Sequence, residues 1–259
     1  MRWPWQKDRG PLLHVAIDEG EGPVVILVHG IASSSVTFQY LVPLLKDSHR
    51  VIALDILGFG GSPRPEGATY TIREHADALD RTIRSLRLGA PFVLVGHSLG
   101  SLIASRYAAD NPASVAKLVL VSPPVYLDPA SFGSTVDRTA MGVYLKVYEY
   151  LRSNKSFTMM AAKGLDRLSP IRNLLQVSEE NWEAFTLSLQ NAIESQTTVA
   201  DIARVRVPVE VVYGTLDPFL MPGGIQIIAS MRHVTIHKVD ANDHVVRTRL
   251  AKEVARVIS

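Results

Sequence analysis

The chain has 259 residues, 47% of them hydrophobic and 20% charged. That is an ordinary globular balance, long enough for one large domain or one domain carrying an insertion. The formal net charge is +2, with Lys and Arg scattered among Asp and Glu, so no basic block points to nucleic acid. Cysteine is absent, which excludes disulfides, thiol catalysis and Cys-ligated metals and fits a reducing compartment.

Residues 1–8 contain no apolar core of a secretory signal, and the longest apolar runs, such as Val24–Val28, are far too short to span a bilayer. The expectation is a cytoplasmic protein with neither a membrane nor a nucleic-acid partner. Trp3 and Trp5 are expected to pack against the first strand.

Residues 12–17 alternate loosely and read as an edge strand, followed by a Gly-rich turn at 19–23. Val24–Val28 is a continuous β-branched run, as in a strand buried on both faces of a parallel sheet. It ends at His29-Gly30. Residues 38–45 have helical spacing, and residues 50–55 form the next strand, leading into the loop Gly58-Phe59-Gly60-Gly61-Ser62-Pro63. A helix is predicted over 71–88, with Thr71 and Glu74 as a capping box. Residues 91–95 make a strand, 99–109 a helix and Val115–Val121 a further buried strand. This β-α-β-α order predicts an α/β chain with a doubly wound, mostly parallel sheet.

From 128 to 197 the strand rhythm stops. Val136, Ala140, Tyr144, Val147 and Leu151 form one helical stripe. Trp182, Phe185, Leu189 and Ile193 form another, with Ser178 as its expected N-cap and Glu179 and Glu180 in its first turn. Strands return at Val209–Gly214 and Val234–Val239, with helices at 225–230 and 245–258.

The chemistry concentrates at Gly96-His97-Ser98-Leu99-Gly100, a G-x-S-x-G between a predicted strand and a predicted helix. That context is what a nucleophile elbow requires: a sharp turn lifts the Ser98 hydroxyl clear of the sheet, and the flanking glycines avoid collisions. The helix that follows would aim unpaired N–H groups at the reacting centre. No H-E-x-x-H, Walker pattern or G-x-G-x-x-G after the first strand competes, so neither metal nor cofactor is expected.

Together with His29-Gly30, the loop from Asp55 to Ser62, Gly214-Thr215-Leu216-Asp217-Pro218 and Asp243-His244-Val245, this elbow resembles the α/β-hydrolase fold superfamily, serine-nucleophile branch. The resemblance implies the chain order nucleophile, acid, base, which Ser98, Asp217 and His244 satisfy. Asp128 is the alternative acid, because some members carry theirs after the preceding strand. The resemblance also implies an oxyanion hole from the backbone N–H groups of Ile31 and Leu99. His29 is read as a brace for that loop and His97 as a packing residue. His14, His49, His75, His233 and His237 are read as structural or solvated.

Relatives that attack with a carboxylate, the haloalkane dehalogenases and epoxide hydrolases, are set aside because the elbow offers serine. The leading reading is a carboxylic-ester hydrolase of apolar or aromatic small molecules, working through an acyl-serine. The alternatives are a C–C bond hydrolase of ring-cleavage products and a ligand-binding sensor. The resemblance places residues 1–124 and 200–259 in the core and residues 125–199 in a helical cap over Ser98. Met141, Tyr144, Tyr148, Phe157, Met159 and Met160 are candidates for its pocket. The oligomeric state stays open.

Overall fold

In the computed structural model, which describes residues 10–126, 135–168, 171 and 174–259 (backbone alone at 135–141 and 168), one sheet organises the chain. Its strands are β1 (Val15–Glu19), β2 (Val24–Val28), β3 (Arg50–Leu54), β4 (Phe92–His97), β5 (Val115–Val121), β6 (Val209–Gly214) and β7 (Val234–Val239). Their spatial order is β1-β3-β2-β4-β5-β6-β7, and every neighbouring pair is parallel except β1 with β3.

The β-branched run of β2 behaves as a doubly covered strand must. Ile26 and Val28 enter one core cluster, while Val25 and Leu27 enter the other. All four are fully buried, and each such side chain contributes roughly 1.5–3 kcal/mol. The first cluster is completed by α2 (Ile72–Leu86), α3 (Leu99–Asp110), α7 (Thr198–Arg204) and α8 (Pro222–Ala229). The second is completed by α1 (Val42–Leu45) and α9 (Thr248–Ile258). Helices therefore cover both faces, and the sheet is doubly wound as predicted.

The order also fixes where a site can form. From β2 the chain moves to one side to lay down β3, then crosses to the other side for β4. Strand order reverses between β2 and β4, and the crevice beyond the carboxyl ends of those strands is where open α/β sheets bind ligands.

Between β5 and β6 the described residues hold no strand. They hold α4 (Thr135–Ser153), α5 (Lys155–Leu168), α6 (Trp182–Ser188), a widened π turn at Leu189–Glu194, and then α7. Helix α6 starts later than the charge pattern suggests. Its N-cap is Asn181, whose Oδ1 accepts the Ser178 N–H at 2.8 Å, so Ser178 belongs to the preceding turn.

Other boundaries move for similar local reasons. Residues 12–14 lie outside β1, because Leu13 N–H donates to Thr82 Oγ1 on α2 instead of joining the ladder. Residues 38–45 split into a 3-10 turn at Ser35–Phe38 and the single turn α1. The capping box of α2 is half formed: Thr71 accepts from Glu74 N–H, but the Glu74 carboxylate accepts from Thr69 and Tyr70. Trp3, Trp5, Asp128 and the side chains of Val136, Ala140 and Met141 lie outside the described residues.

Candidate active site

Ser98 sits between β4 and α3 with φ 53° and ψ −124°, a left-handed conformation that a serine rarely adopts. Sterics enforce the turn. A Cβ on Gly96 would stand 2.3 Å from the Gly100 carbonyl oxygen, and one on Gly100 would stand 2.1 Å from that of Val28. Only glycine lets α3 start directly against the ends of β4 and β2. Ser98 N–H donates to Val121 O at 3.0 Å, and Ser101 Oγ donates to Gly96 O at 2.7 Å, which ties the elbow to its own strand and to β5. Leu99 is the first residue of α3, where helical geometry supplies no acceptor for its N–H.

Of the six described non-glycine residues with positive φ, four lie past the carboxyl ends of sheet strands. Ala32 (φ 52°), Ser98, Ser122 (φ 49°) and Ala241 (φ 53°) follow β2, β4, β5 and β7 respectively. Left-handed non-glycine residues typically cost about 1–3 kcal/mol and persist where surrounding structure imposes them.

The loop after β2 lies directly against the serine. A Cβ on Gly30 would be 2.8 Å from Ser98 Cβ. His29 is fully buried; its Nδ1–H donates to Gly30 O at 2.7 Å and its Nε2 accepts Ile56 N–H at 3.0 Å. Both ring nitrogens are therefore used by the neutral form, and burial, against the opposing Asp55 charge, pushes its pKa below the usual value. This anchors the backbone that presents Ile31, which is half buried at the cavity wall.

His244 and Asp217 come from loops after β7 and β6. His244 Nδ1 is 2.8 Å from Asp217 Oδ2, and the Asp217 side chain is 0% exposed. Burial works to raise the Asp217 pKa. The hydrogen bond and charge of His244, with Phe219 N–H at 2.9 Å on Oδ1, outweigh it and hold the carboxyl below the ordinary range. An ionised carboxylate can only accept, so Nδ1 carries a proton, and in the neutral ring Nε2 is the free acceptor. The imidazole packs against two rings, with His97 tilted at 4.9 Å and Phe219 edge-on at 4.7 Å.

His97 does more than fill space. Its Nε2–H donates to the His244 carbonyl at 2.9 Å, and burial, reinforced by the His244 charge, lowers its pKa to about 3. It stays neutral and grips the backbone of the residue whose ring it packs against.

Ser98 and His244 open into a single cavity of about 240 Å³, together with Gly30, Ile31, Phe219 and Val245. The segments between β5 and β6 wall it with Tyr148, Leu165, Leu174, Leu175, Leu189 and Ile193. None of the described lining residues is Asp, Glu, Lys or Arg. Of the five pocket candidates whose side chains are described, only Tyr148 lines this cavity. Tyr144 and Met159 pack at the edge of the core, Phe157 and Met160 face outward, and the Met141 side chain lies outside the described residues. Sequence reading missed Leu174 and Leu175, which fall between the two helical stripes where no periodicity marks them, and Phe219, two residues past Asp217.

A family described as "alpha/beta hydrolase fold" matches residues 23–230. Among curated proteins, the "Probable lysophospholipase BODYGUARD 4" of Arabidopsis thaliana is 33% identical over 147 residues, covering 52% of this chain and 35% of that protein. The "Cis-3-alkyl-4-alkyloxetan-2-one decarboxylase" of Xanthomonas campestris pv. campestris is 29% identical over 180 residues, covering 64% of this chain and 60% of that protein. The matched stretch thus spans about a third of the plant relative's length. Among solved structures, a thermophilic esterase from Thermogutta terrifontis superposes with TM-score 0.72 at 22% identity, over 95% of this chain and 92% of that one. An epoxide hydrolase from hot-environment metagenomes does so with TM-score 0.75 at 20% identity, over 97% and 94%. At these identities the structural likeness is one of fold.

Proposed function

The chain belongs to the alpha/beta hydrolase fold family, and on that premise we propose that it is a serine hydrolase cleaving carboxylic esters of apolar or aromatic small molecules through an acyl-serine intermediate. The observation that carries this reading is the 2.8 Å pairing of Asp217 with His244 in the cavity that Ser98 enters from its strained turn. Relatives named as lysophospholipases agree with ester cleavage.

In this reading His244 Nε2 takes the Ser98 hydroxyl proton as Oγ attacks the ester carbonyl. Asp217 holds the imidazole by Nδ1–H and faces the positive charge that the ring then carries. The tetrahedral oxyanion is held by the N–H groups of Ile31 and Leu99. As the C–O bond breaks, His244 returns the proton to the departing alcohol. Water, deprotonated by the same nitrogen, then attacks the acyl-serine; as the acyl C–Oγ bond breaks, Nε2 returns that proton to Ser98 Oγ and the acid leaves. The cycle uses no cofactor.

Residues 125–199 act as a cap that supplies the apolar wall, and the enzyme works in the cytoplasm. An apolar cavity of about 150 Å³ holds one benzene ring. The larger space here suits a ring with a short chain, or a medium acyl chain, and a charged acyl group would enter without a counter-ion.

The test pairs fluorophosphonate labelling with turnover. Wild type is expected to label and to hydrolyse short- and medium-chain aryl esters, and Ser98→Ala to do neither. Persistent labelling of Ser98→Ala would remove the nucleophile assignment. Turnover of a vinylogous diketone alone would replace ester cleavage with C–C cleavage, and binding without turnover of either would indicate a sensor.

A further inference from the structure

The helices that wall the cavity carry a second face that points away from it. On α4, Val143, Val147 and Tyr150 recur at helical spacing, and Phe157 and Met160 follow on α5; these five are 44–67% exposed. The rings of Tyr150 and Phe157 meet edge to face at 5.3 Å, which joins the two rows into one apolar surface. Exposed residues of this size gathered on one face mark an interaction site more often than scattered ones do.

Cations border the surface. Lys146 lies three and four residues from Val143 and Tyr150 on the same side of α4, and Lys163 and Arg167 continue the row of Met160 on α5. Met160, Lys163 and Arg167 share one groove with Glu179, whose carboxylate is paired by Lys155. From residue 142 to residue 167, five Lys or Arg stand against Glu149 and Asp166. Asp166 is engaged by the N–H groups of Leu174 and Leu175, and Arg152 turns inward to Glu194.

Leu165 and Phe219 both line the cavity and both remain exposed, at 57% and 39%. Apolar side chains that line the cavity thus also reach the surface.

We propose that the α4–α5 face seats this protein on an anionic lipid surface, where an apolar substrate would be concentrated. Apolar side chains entering the headgroup boundary, backed by Lys and Arg at the phosphates, is the chemistry that holds a protein on a membrane without crossing it. No described helix is long and apolar enough to cross one. A second copy of the chain fits less well, because a two-fold contact would bring this cationic rim against itself. The proposal revises the expectation of no membrane partner, which rested on the lack of a spanning segment. Docking stands without the ester-hydrolase reading; only the delivery of substrate rests on it.

The test is co-sedimentation with phosphatidylcholine vesicles, with and without phosphatidylglycerol. Wild type is expected to bind the anionic vesicles at least about tenfold more tightly than the neutral ones, from two or more cations at the surface. Lys163→Glu with Arg167→Glu should weaken that binding by about 30-fold or more. Val147→Asp with Met160→Asp should abolish it, with hydrolysis of a soluble short-chain aryl ester and the far-UV circular dichroism unchanged. Equal binding to both vesicle types, or binding untouched by the aspartates, would overturn the proposal. So would a dimer in ultracentrifugation that Met160→Asp dissociates, since the face would then be an interface between copies. An inactive protein that still binds anionic vesicles would leave docking intact and defeat only the ester reading.

Discussion

Replacing His97 by glutamine separates two properties that the imidazole combines. The buried ring is held neutral, with a pKa of about 3 set first by burial and then by the His244 charge, and its Nε2–H grips the His244 carbonyl. In the unfolded chain the same histidine titrates at about 6.5. A folded pKa below the unfolded one means that stability is intact above pH 6.5 and declines as pH falls from there toward 3. Over this window the unfolded chain binds a proton that the native state refuses. At pH 5 the difference from pH 8 comes to about 2 kcal/mol for this one residue. Glutamine does not titrate, and its amide N–H reaches about as far as Nε2. Urea denaturation at pH 8 and pH 5 should therefore show a gap between the two pH values that is smaller by about 2 kcal/mol in His97→Gln than in wild type. His75, also buried and lowered to about 3, keeps its own share of the gap in both proteins. Activity supplies the second readout. At pH 8, His97→Gln should keep kcat/KM within about tenfold of wild type. His97→Phe should fall further, because it leaves the His244 carbonyl without that donor. If the gap between pH 8 and pH 5 is the same in His97→Gln as in wild type, the claim that His97 is buried and neutral is wrong.

Three further outcomes follow from the site and its frame. Asp217→Asn should lower kcat by about 10⁴ with KM little changed, since an amide neither enforces the Nδ1–H tautomer nor balances the imidazolium; Asp128→Asn assayed beside it should cost less than tenfold, and the reverse pattern would move the acid. Gly100→Ala should destabilise the fold by at least about 3 kcal/mol in urea titration or prevent soluble expression, because its Cβ would meet the Val28 and His29 carbonyls, which are backbone and cannot step aside. Gly164→Ala in α5, where a Cβ meets nothing within 4 Å, should instead stabilise by roughly 0.5–1 kcal/mol; a loss there would mean that α5 is not helical around that residue.

The features legible in the sequence alone are those that local physics writes at short range. A β-branched run announces a strand covered on both faces, and β2 is buried on both. The Gly96 and Gly100 spacing around Ser98 announces a turn too tight for side chains, and the contacts that a Cβ would make bear this out. The alternation of strands and helices was enough for a doubly wound sheet. Chain order and resemblance singled out Asp217 and His244, 27 residues apart in sequence.

What depended on tertiary structure is everything decided by which distant surfaces meet. Strand order β3-β2-β4, and with it the crevice at the reversal, follows from crossover directions that no single segment encodes. That His97, read as packing, would hold the His244 carbonyl 147 residues away could not be seen from the motif around it. Among the apolar residues of the insertion, periodicity marks the faces of α4 and α5 but not which face meets the core. Tyr148 therefore turned inward while Phe157 and Met160, chosen for the same reason, stayed in solvent. Burial is a property of the pair of surfaces in contact, and a sequence states only one of them at a time.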